Sequence, residues 1–523
     1  MSSSTFIKGT LIITIATLFS KVLGSVFRIP LQNIAGDQVL GIFSLVYPVY
    51  MVALTLSVAG IPIAISKIIA EERAKRNTDS IKEIYVTASI LAILFGIGSF
   101  ILIYCFSEPI ANALGGQSTR LALIVVAATL IIAPYMAVYR GYFQGFEDMA
   151  PTAISQVIEQ FVRVALLLTI AFLFVKSGLP DEKVAGGLMA GSVFGALCSF
   201  IYLRFQYVRS PLKQTSSRAY SSASFTYWSR KILKLSIPIA FGAITMALIN
   251  FVDSFTISYS FQKMGLDEPD INYMYGLYGR GQSLVQIATV LATSLVLPLI
   301  PLLTTKLKEG NKEQVSQIIG KTNWLTHLVS WPAALGLLAL TLPINLALFT
   351  DIQGSWVLAV IGFSSIFTSL TVLSTGILQG MNAAKMAAVI ILIAVALKAV
   401  ANIYLVQAFG LLGAAFSTLA IYIILFVLNT FAIYKKTMFT LEKTSVMKMM
   451  VASVFMGAAI GIPTLFLDIT YWSRFQALSY TFAGIVIGTV IYIALLLLLN
   501  VISQQDIKRT LSGTLSANRK GRD

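Results

Sequence analysis

Apolar side chains in this 523-residue chain fall into long runs separated by short polar interruptions, and no motif constrains the fold as strongly. A helix needs about 20 such residues to cross about 30 Å of hydrocarbon, and it bonds all its backbone groups internally while doing so. Fourteen stretches qualify, at approximately 10–34, 41–69, 83–106, 121–139, 152–175, 184–203, 232–259, 281–304, 323–349, 356–379, 386–406, 411–434, 449–467 and 477–500. Hydrophobic residues make up 57% of the chain and charged ones 11%. Soluble domains carry roughly a quarter charged residues, so too little polar material is present here to coat them. The pattern predicts an all-α polytopic membrane protein with about 14 transmembrane helices.

The net charge of +16 would suggest a nucleic-acid partner in a soluble protein, but its placement argues otherwise. An even number of spans puts both termini on one side. That side holds Lys8, the Arg73–Lys82 loop, Arg140, the run from Arg204 to Lys231, Lys306–Lys321, Lys385, Lys435–Lys448 and the tail from Lys508 to Arg522. The other holds only Arg120, Lys176, Lys183, Lys263, Arg280 and Arg474. The positive-inside rule then places both termini in the cytoplasm, with membrane lipids and no nucleic acid as partners of the basic loops. The first apolar run is long and contains Lys21 and Arg28, so no cleavable signal peptide is expected. Cys105, Cys198 and His327 form no ligand cluster, so neither a metal nor another cofactor is expected.

Internal duplication is common among transporters. A shift of 235 residues lays Gly141-Tyr-Phe-Gln-Gly145 on Gly376-Ile-Leu-Gln-Gly380 and Arg163 on Lys398. A shift of 225 brings Arg28 opposite Asp253. These offsets suggest two six-helix lobes related by pseudo-symmetry, residues 1–208 and 230–438, joined by a Ser-rich cytoplasmic linker at 209–229. Two further helices at 439–500 and a polar, partly disordered tail at 501–523 complete the expected organisation.

Each charge at a helix centre facing lipid costs about 2.5–3.5 kcal/mol on insertion scales, so charges within spans are expected to face an interior. Lys21, Arg28, Lys67, Glu159, Arg163, Asp253 and Lys398 are such charges. Glu159 and Arg163 stand four apart on one helical face and can pair. Lys67, next to Glu71-Glu72-Arg73, reads as a snorkelling residue. Lys21 and Arg28, two turns apart, form a basic stripe suited to an anionic group such as a diphosphate. Asn250 and Ser254 stand where they could share hydrogen bonds with Asp253. Gly187, Gly191 and Gly195 mark close helix packing, and Pro48, Pro62, Pro134, Pro238, Pro298 and Pro301 mark candidate kinks.

No catalytic constellation emerges. Gly320-Lys321-Thr322 resembles the end of a phosphate-binding loop, but the required earlier glycine falls at Val315. The chain is not expected to be an enzyme or to hydrolyse ATP.

The stretch Arg140-Gly-Tyr-Phe-Gln-Gly-Phe-Glu-Asp-Met-Ala-Pro-Thr-Ala-Ile-Ser-Gln-Val-Ile-Glu-Gln-Phe-Val-Arg163, with Phe19-Ser-Lys-Val-Leu-Gly24 and Gly60-Ile-Pro-Ile-Ala-Ile-Ser-Lys67, resembles one branch of the multidrug/oligosaccharidyl-lipid/polysaccharide superfamily. That branch is the polysaccharide-export and lipid II flippase group, and the likeness is to its stage V sporulation protein B-like members. The resemblance implies a V-shaped, alternating-access cavity between two six-helix lobes, with the last two helices extending a groove for a lipid tail. It also implies a bacterial plasma-membrane location. Lys21 matches a basic position of the first-helix motif that the family uses for the lipid-linked diphosphate. Arg28 lies one position beyond a second basic site, where this chain has Phe27, and Asp253 stands in a span where the family often has a basic residue.

The resulting expectation is a flippase for an undecaprenyl-diphosphate-linked cell-wall precursor, lipid II or a related lipid-linked oligosaccharide. Lys21, Arg28, Arg163, Lys398, Glu159 and Asp253 are its candidate substrate-binding residues. The expected partners are a lipid-linked anionic glycan and cell-wall synthesis proteins. Two rivals stand beside it: a cation-coupled multidrug antiporter, which needs carboxylates in its cavity, and a scaffold of a cell-wall assembly that transports nothing.

Overall fold

Helices account for nearly all of the chain because the apolar runs leave the backbone no partner other than itself. The computed structural model describes residues 3–58, 60–212, 220–437, 439 and 442–502, and among them no strand occurs. In chain order the helices are α1 (Ser3–Val26), α2 (Arg28–Val58), α3 (Ile61–Ala74), α4 (Thr78–Cys105), α5 (Ser107–Ala113), α6 (Ser118–Ala127), α7 (Thr129–Gly145), α8 (Ala150–Lys176), α9 (Asp181–Arg209) and α10 (Ser222–Lys263). There follow α11 (Glu268–Ala288), α12 (Val290–Lys308), α13 (Lys312–Ala339), α14 (Thr341–Phe349), α15 (Ser355–Gly380), α16 (Ala384–Phe409), α17 (Leu411–Thr437), α18 (Lys443–Phe466) and α19 (Arg474–Leu498).

The fold is that of an all-α polytopic membrane protein. Among the described residues ten helical runs are long and apolar enough to cross a bilayer, or up to twelve if each of two bent pairs is one span. The fourteen spans marked in the sequence are not reached on this criterion. Its first run, Ile15–Ala74, covers two of them, and the stretch 281–304 is divided between α11 and α12 at Thr289. Within Ile15–Ala74 the chain turns back at Gly36, whose φ of 79° lies in the left-handed region. Fifteen residues of straight helix would span about 22 Å, yet the Arg28 guanidinium carbon lies 5.5 Å from the centre of the Phe43 ring.

Bends elsewhere do not simply follow proline. The 53° break in α10 falls between Ile244 and Ala247, beyond Pro238, and a 77° break separates α13 from α14 at Leu340. Gly191 and Gly195 do mark close packing: a Cβ on Gly191 would stand 2.8 Å from the Arg163 carbonyl oxygen, and one on Gly195 would stand 2.6 Å from that of Glu159. The α8 backbone therefore lies directly against α9.

By packing, the chain forms two compact units, Met1–Val290 with Ala383–Leu425, and Leu291–Asn382 with Phe426–Asp523. In the first, α8 packs on α9, α2 on α11, α3 on α7 and α10 on α16. In the second, α13 packs on α15 and α18, and α19 on α14 and α18. These units are defined by contact, whereas the 1–208 and 230–438 halves were defined by repeat, and their boundaries differ. The two copies of the Gly-x-x-Gln-Gly motif end α7 and α15, each within its own unit. The Gly145 carbonyl accepts from Arg73 Nη1 at 2.8 Å, and the Gly380 carbonyl accepts from Thr304 Oγ1 at 3.0 Å.

The expected linker at 209–229 is shorter than the sequence suggested. Helix α10 already begins at Ser222, capped by the Ser221 hydroxyl, which accepts from the Ser224 amide. Trp228 is buried and its indole donates to Glu83 at 2.9 Å. The Ser-rich residues 213–219 and most of the tail, 503–523, lie outside the described residues.

Candidate functional site

Arg28 opens α2 immediately after the turn at Phe27, so its side chain projects from the short arm that Gly36 folds back. It is 6% exposed. Its guanidinium carbon lies 5.5 Å from the Phe43 ring centre and 5.9 Å from that of Tyr47, two rings that stack on each other at 5.1 Å. Cation–π contacts offset part of its desolvation, but its Nε has no hydrogen-bond partner and no carboxylate pairs with it among the described residues. Arg28 faces a cavity within the first unit, walled by α2, α10 and α11. Tyr47, Tyr275 and Tyr278 contribute phenols to this wall, and Asn250, Gln282 and Gln286 contribute amides.

Asp253, on α10, lines the same cavity. Its Oδ2 lies 2.8 Å from Lys398 Nζ on α16, and the two side chains are 1% and 0% exposed. The Tyr278 hydroxyl donates to Oδ2 at 3.0 Å, and Asn402 Nδ2 donates to Oδ1 at 2.8 Å. Tyr278 also shares a hydrogen bond with Thr418 Oγ1 at 2.7 Å. The neighbours suggested by sequence do not hold this carboxylate. Ser254 instead bonds the Asn250 carbonyl and the Tyr275 hydroxyl. A buried charge of this kind is tolerable because it is paired and its remaining lone pairs are satisfied.

Glu159 and Arg163 pair at 2.8 Å, as their spacing suggested, and a third member joins them. Arg140 Nη2 reaches the other Glu159 oxygen at 2.8 Å and also bonds Ser199, while its Nε bonds Ser155. The charge count places Arg140 in a cytoplasmic loop, but it lies inside α7 with its side chain 13% exposed. The same count places Arg280 in an outer loop. It is fully buried in α11 and grips Asp37 with two donors, Nε at 2.6 Å and Nη2. Arg280 sits in the glycine-rich stretch Gly276-Leu-Tyr-Gly-Arg-Gly281. In the structure its glycines admit α2: a Cβ on Gly276 would stand 2.1 Å from the Asp37 carbonyl oxygen.

Arg28 and Asp253 therefore share one cavity, with Lys398 behind Asp253. Glu159 and Arg163 form a separate ion triad with Arg140. Lys21 is exposed on α1 and does not line the cavity, and Lys67 is exposed on α3, as a snorkelling residue would be. Asp37, Arg280, Tyr278, Asn402 and Thr418 were not singled out from sequence. Asn402 alone carried a readable signal, standing one turn after Lys398 on the same face. Among the described residues no group of acidic, His or Cys side chains could hold a metal.

Comparison with known proteins adds to this geometry. The model of the polysaccharide biosynthesis protein family matches residues 6–306. The uncharacterized membrane protein YabM of Bacillus subtilis is 30% identical over 430 residues, covering 82% of this chain and 80% of its own length. The lipid II flippase MurJ of the same organism is 27% identical over 482 residues, with 88% of each chain covered. Among solved structures, a lipid II flippase MurJ in an inward closed conformation superposes with a TM-score of 0.69 at 17% identity, covering 93% of this chain and 98% of its own. That last likeness is one of fold.

Proposed function

Since this chain belongs to the polysaccharide biosynthesis protein family, we propose that it carries an undecaprenyl-diphosphate-linked cell-wall precursor, lipid II or a related lipid-linked oligosaccharide, across the plasma membrane by alternating access. At the coarser level it is a multi-pass membrane transporter of the flippase type and not an enzyme. In this reading both termini are cytoplasmic, and residues 1–208 and 230–438 are the two lobes whose rocking exposes the substrate to each leaflet in turn.

The observation that carries the reading is the Arg28 guanidinium, buried against the cavity without a counter-ion among the described residues. An unpaired buried charge is strongly disfavoured, so the site is poised for an anion, and a planar guanidinium suits phosphate oxygens. Lys21, exposed on α1 outside this cavity, enters the reading through the first-helix motif alone. The Glu159–Arg163 and Asp253–Lys398 pairs are assigned to positioning. The cavity's tyrosines and amides suit a sugar adjoining the phosphates. A drug-cation antiporter would need a free carboxylate, and Asp253, the one carboxylate lining this cavity among the described residues, is held by Lys398.

Complementation in cells depleted of their own lipid II flippase tests the proposal. Wild type should restore outer-leaflet lipid II, and Arg28→Gln should not, at equal membrane abundance. Correctly inserted wild type that restores none removes lipid II as the substrate.

A further inference from the structure

Among the described residues two charged side chains line the cavity, Arg28 and Asp253. Taken alone they cancel, and a wall of that kind would prefer neither an anion nor a cation. Lys398 is not part of the wall. It is fully buried behind Asp253, with its ammonium 2.8 Å from Oδ2. Tyr278 and Asn402 hold the same carboxylate by hydrogen bonds to each of its oxygens. The negative charge is thereby answered from inside the protein, and the charge left facing the cavity is that of Arg28.

We propose that Lys398 is a specificity-determining positioning residue that does not touch the substrate: by neutralising Asp253 from behind, it makes the cavity selective for an anionic group such as a phosphate. The inference deepens the flippase reading and relies on it for the identity of the anion. The sign of the cavity, however, can be measured with no substrate present. It also explains why a carboxylate can stand in the wall of an anion site, since removal of Lys398 would leave Asp253 free to compete with any phosphate for Arg28.

The test uses the full-length protein in detergent at one fixed pH for all variants. Cys105 and Cys198, neither of which lines the cavity, are replaced by serine, and Met51, a partly exposed wall residue, by cysteine. The measured quantity is the ratio of labelling rates for two methanethiosulfonates, one carrying a sulfonate and the other a trimethylammonium group. Lys398→Met should lower the sulfonate preference roughly tenfold, as expected for one unit charge at close range in a medium of intermediate permittivity. Asp253→Asn with Lys398 intact should raise it by a similar factor. The double variant D253N/K398M should return to the wild-type ratio, because one charge of each sign has been removed.

That return is what a merely structural role would not produce. An unchanged ratio in Lys398→Met, an unchanged ratio in Asp253→Asn, or a double variant that stays at the Lys398→Met level each overturns the proposal. Should Lys398→Met fail to fold, the double variant, which leaves neither charge buried unpaired, is compared with Asp253→Asn, and a fall in the ratio on removing Lys398 still reads its charge. A protein that fails to flip lipid II yet shows these ratios loses the substrate assignment and keeps this one.

Discussion

Lys398 and Asn402 stand one helical turn apart on α16 and reach the two oxygens of a single carboxylate: Lys398 Nζ lies 2.8 Å from Asp253 Oδ2, and Asn402 Nδ2 lies 2.8 Å from Oδ1. The pair ties α16 to α10 at a depth where neither charge meets water. Removing one partner of such a pair costs about 3–5 kcal/mol, whereas replacing both by neutral groups of similar shape is often close to neutral. Asp253→Ala should therefore lower the unfolding temperature of the purified protein markedly, and D253N/K398M should recover most of the loss. Equal losses in the two would mean that packing rather than charge dominates here.

The Asp37–Arg280 pair should behave in the same way at the contact between α2 and α11. Arg280→Met is expected to destabilise by about 3–5 kcal/mol through the carboxylate it leaves behind, and D37N/R280M by much less. Thermal melts followed by tryptophan fluorescence would read the difference.

Gly276→Ala probes the same contact without touching a charge. Its added methyl would meet backbone, the Asp37 carbonyl oxygen at 2.1 Å, and no flexible side chain can move aside. Reduced yield of folded protein is expected. Gly98→Ala, with nothing within 4 Å of the new methyl, should be tolerated.

Arg28 should separate function from stability. Because no carboxylate pairs with it among the described residues, Arg28→Gln is expected to leave the melting temperature within about 1 °C of wild type or above it, while abolishing complementation. Arg28→Lys should rescue only in part, because an ammonium cannot offer two parallel donors.

Glu159 bridges Arg140 and Arg163, and Glu159→Gln would leave two buried guanidiniums facing each other. That substitution should destabilise more than Arg163→Gln, which leaves the Arg140–Glu159 pair intact. A double variant, E159Q/R163Q, should be more stable than E159Q alone.

The membrane class of the fold was readable because a long apolar run has few alternatives, and Arg28, Asp253 and Lys398 stood out because charges inside such runs are rare. What remained hidden has two physical origins. Tyr278 and Thr418 are neutral, carry little insertion cost and so leave little mark in a hydropathy pattern, although with Asn402 they complete the surroundings of Asp253. Arg280 and Arg140 were misassigned for another reason. Glycines and polar residues beside them lower local hydropathy and imitate a loop, where the chain in fact needs small residues to bring helices together around an ion pair. Pairing between residues as distant as Asp37 and Arg280 is a property of tertiary packing and has no local signature.

The reversal at Gly36 bears on how such a cavity could be retuned. Arg28 is carried on a short cantilever whose angle is fixed by one peptide in the left-handed region, and no heavy atom lies within 4 Å of where a Cβ at Gly36 would stand. The aim of the guanidinium thus depends on main-chain torsion at Gly36 as well as on the Phe43 and Tyr47 rings, so a residue bearing no charge helps set where a buried cation points.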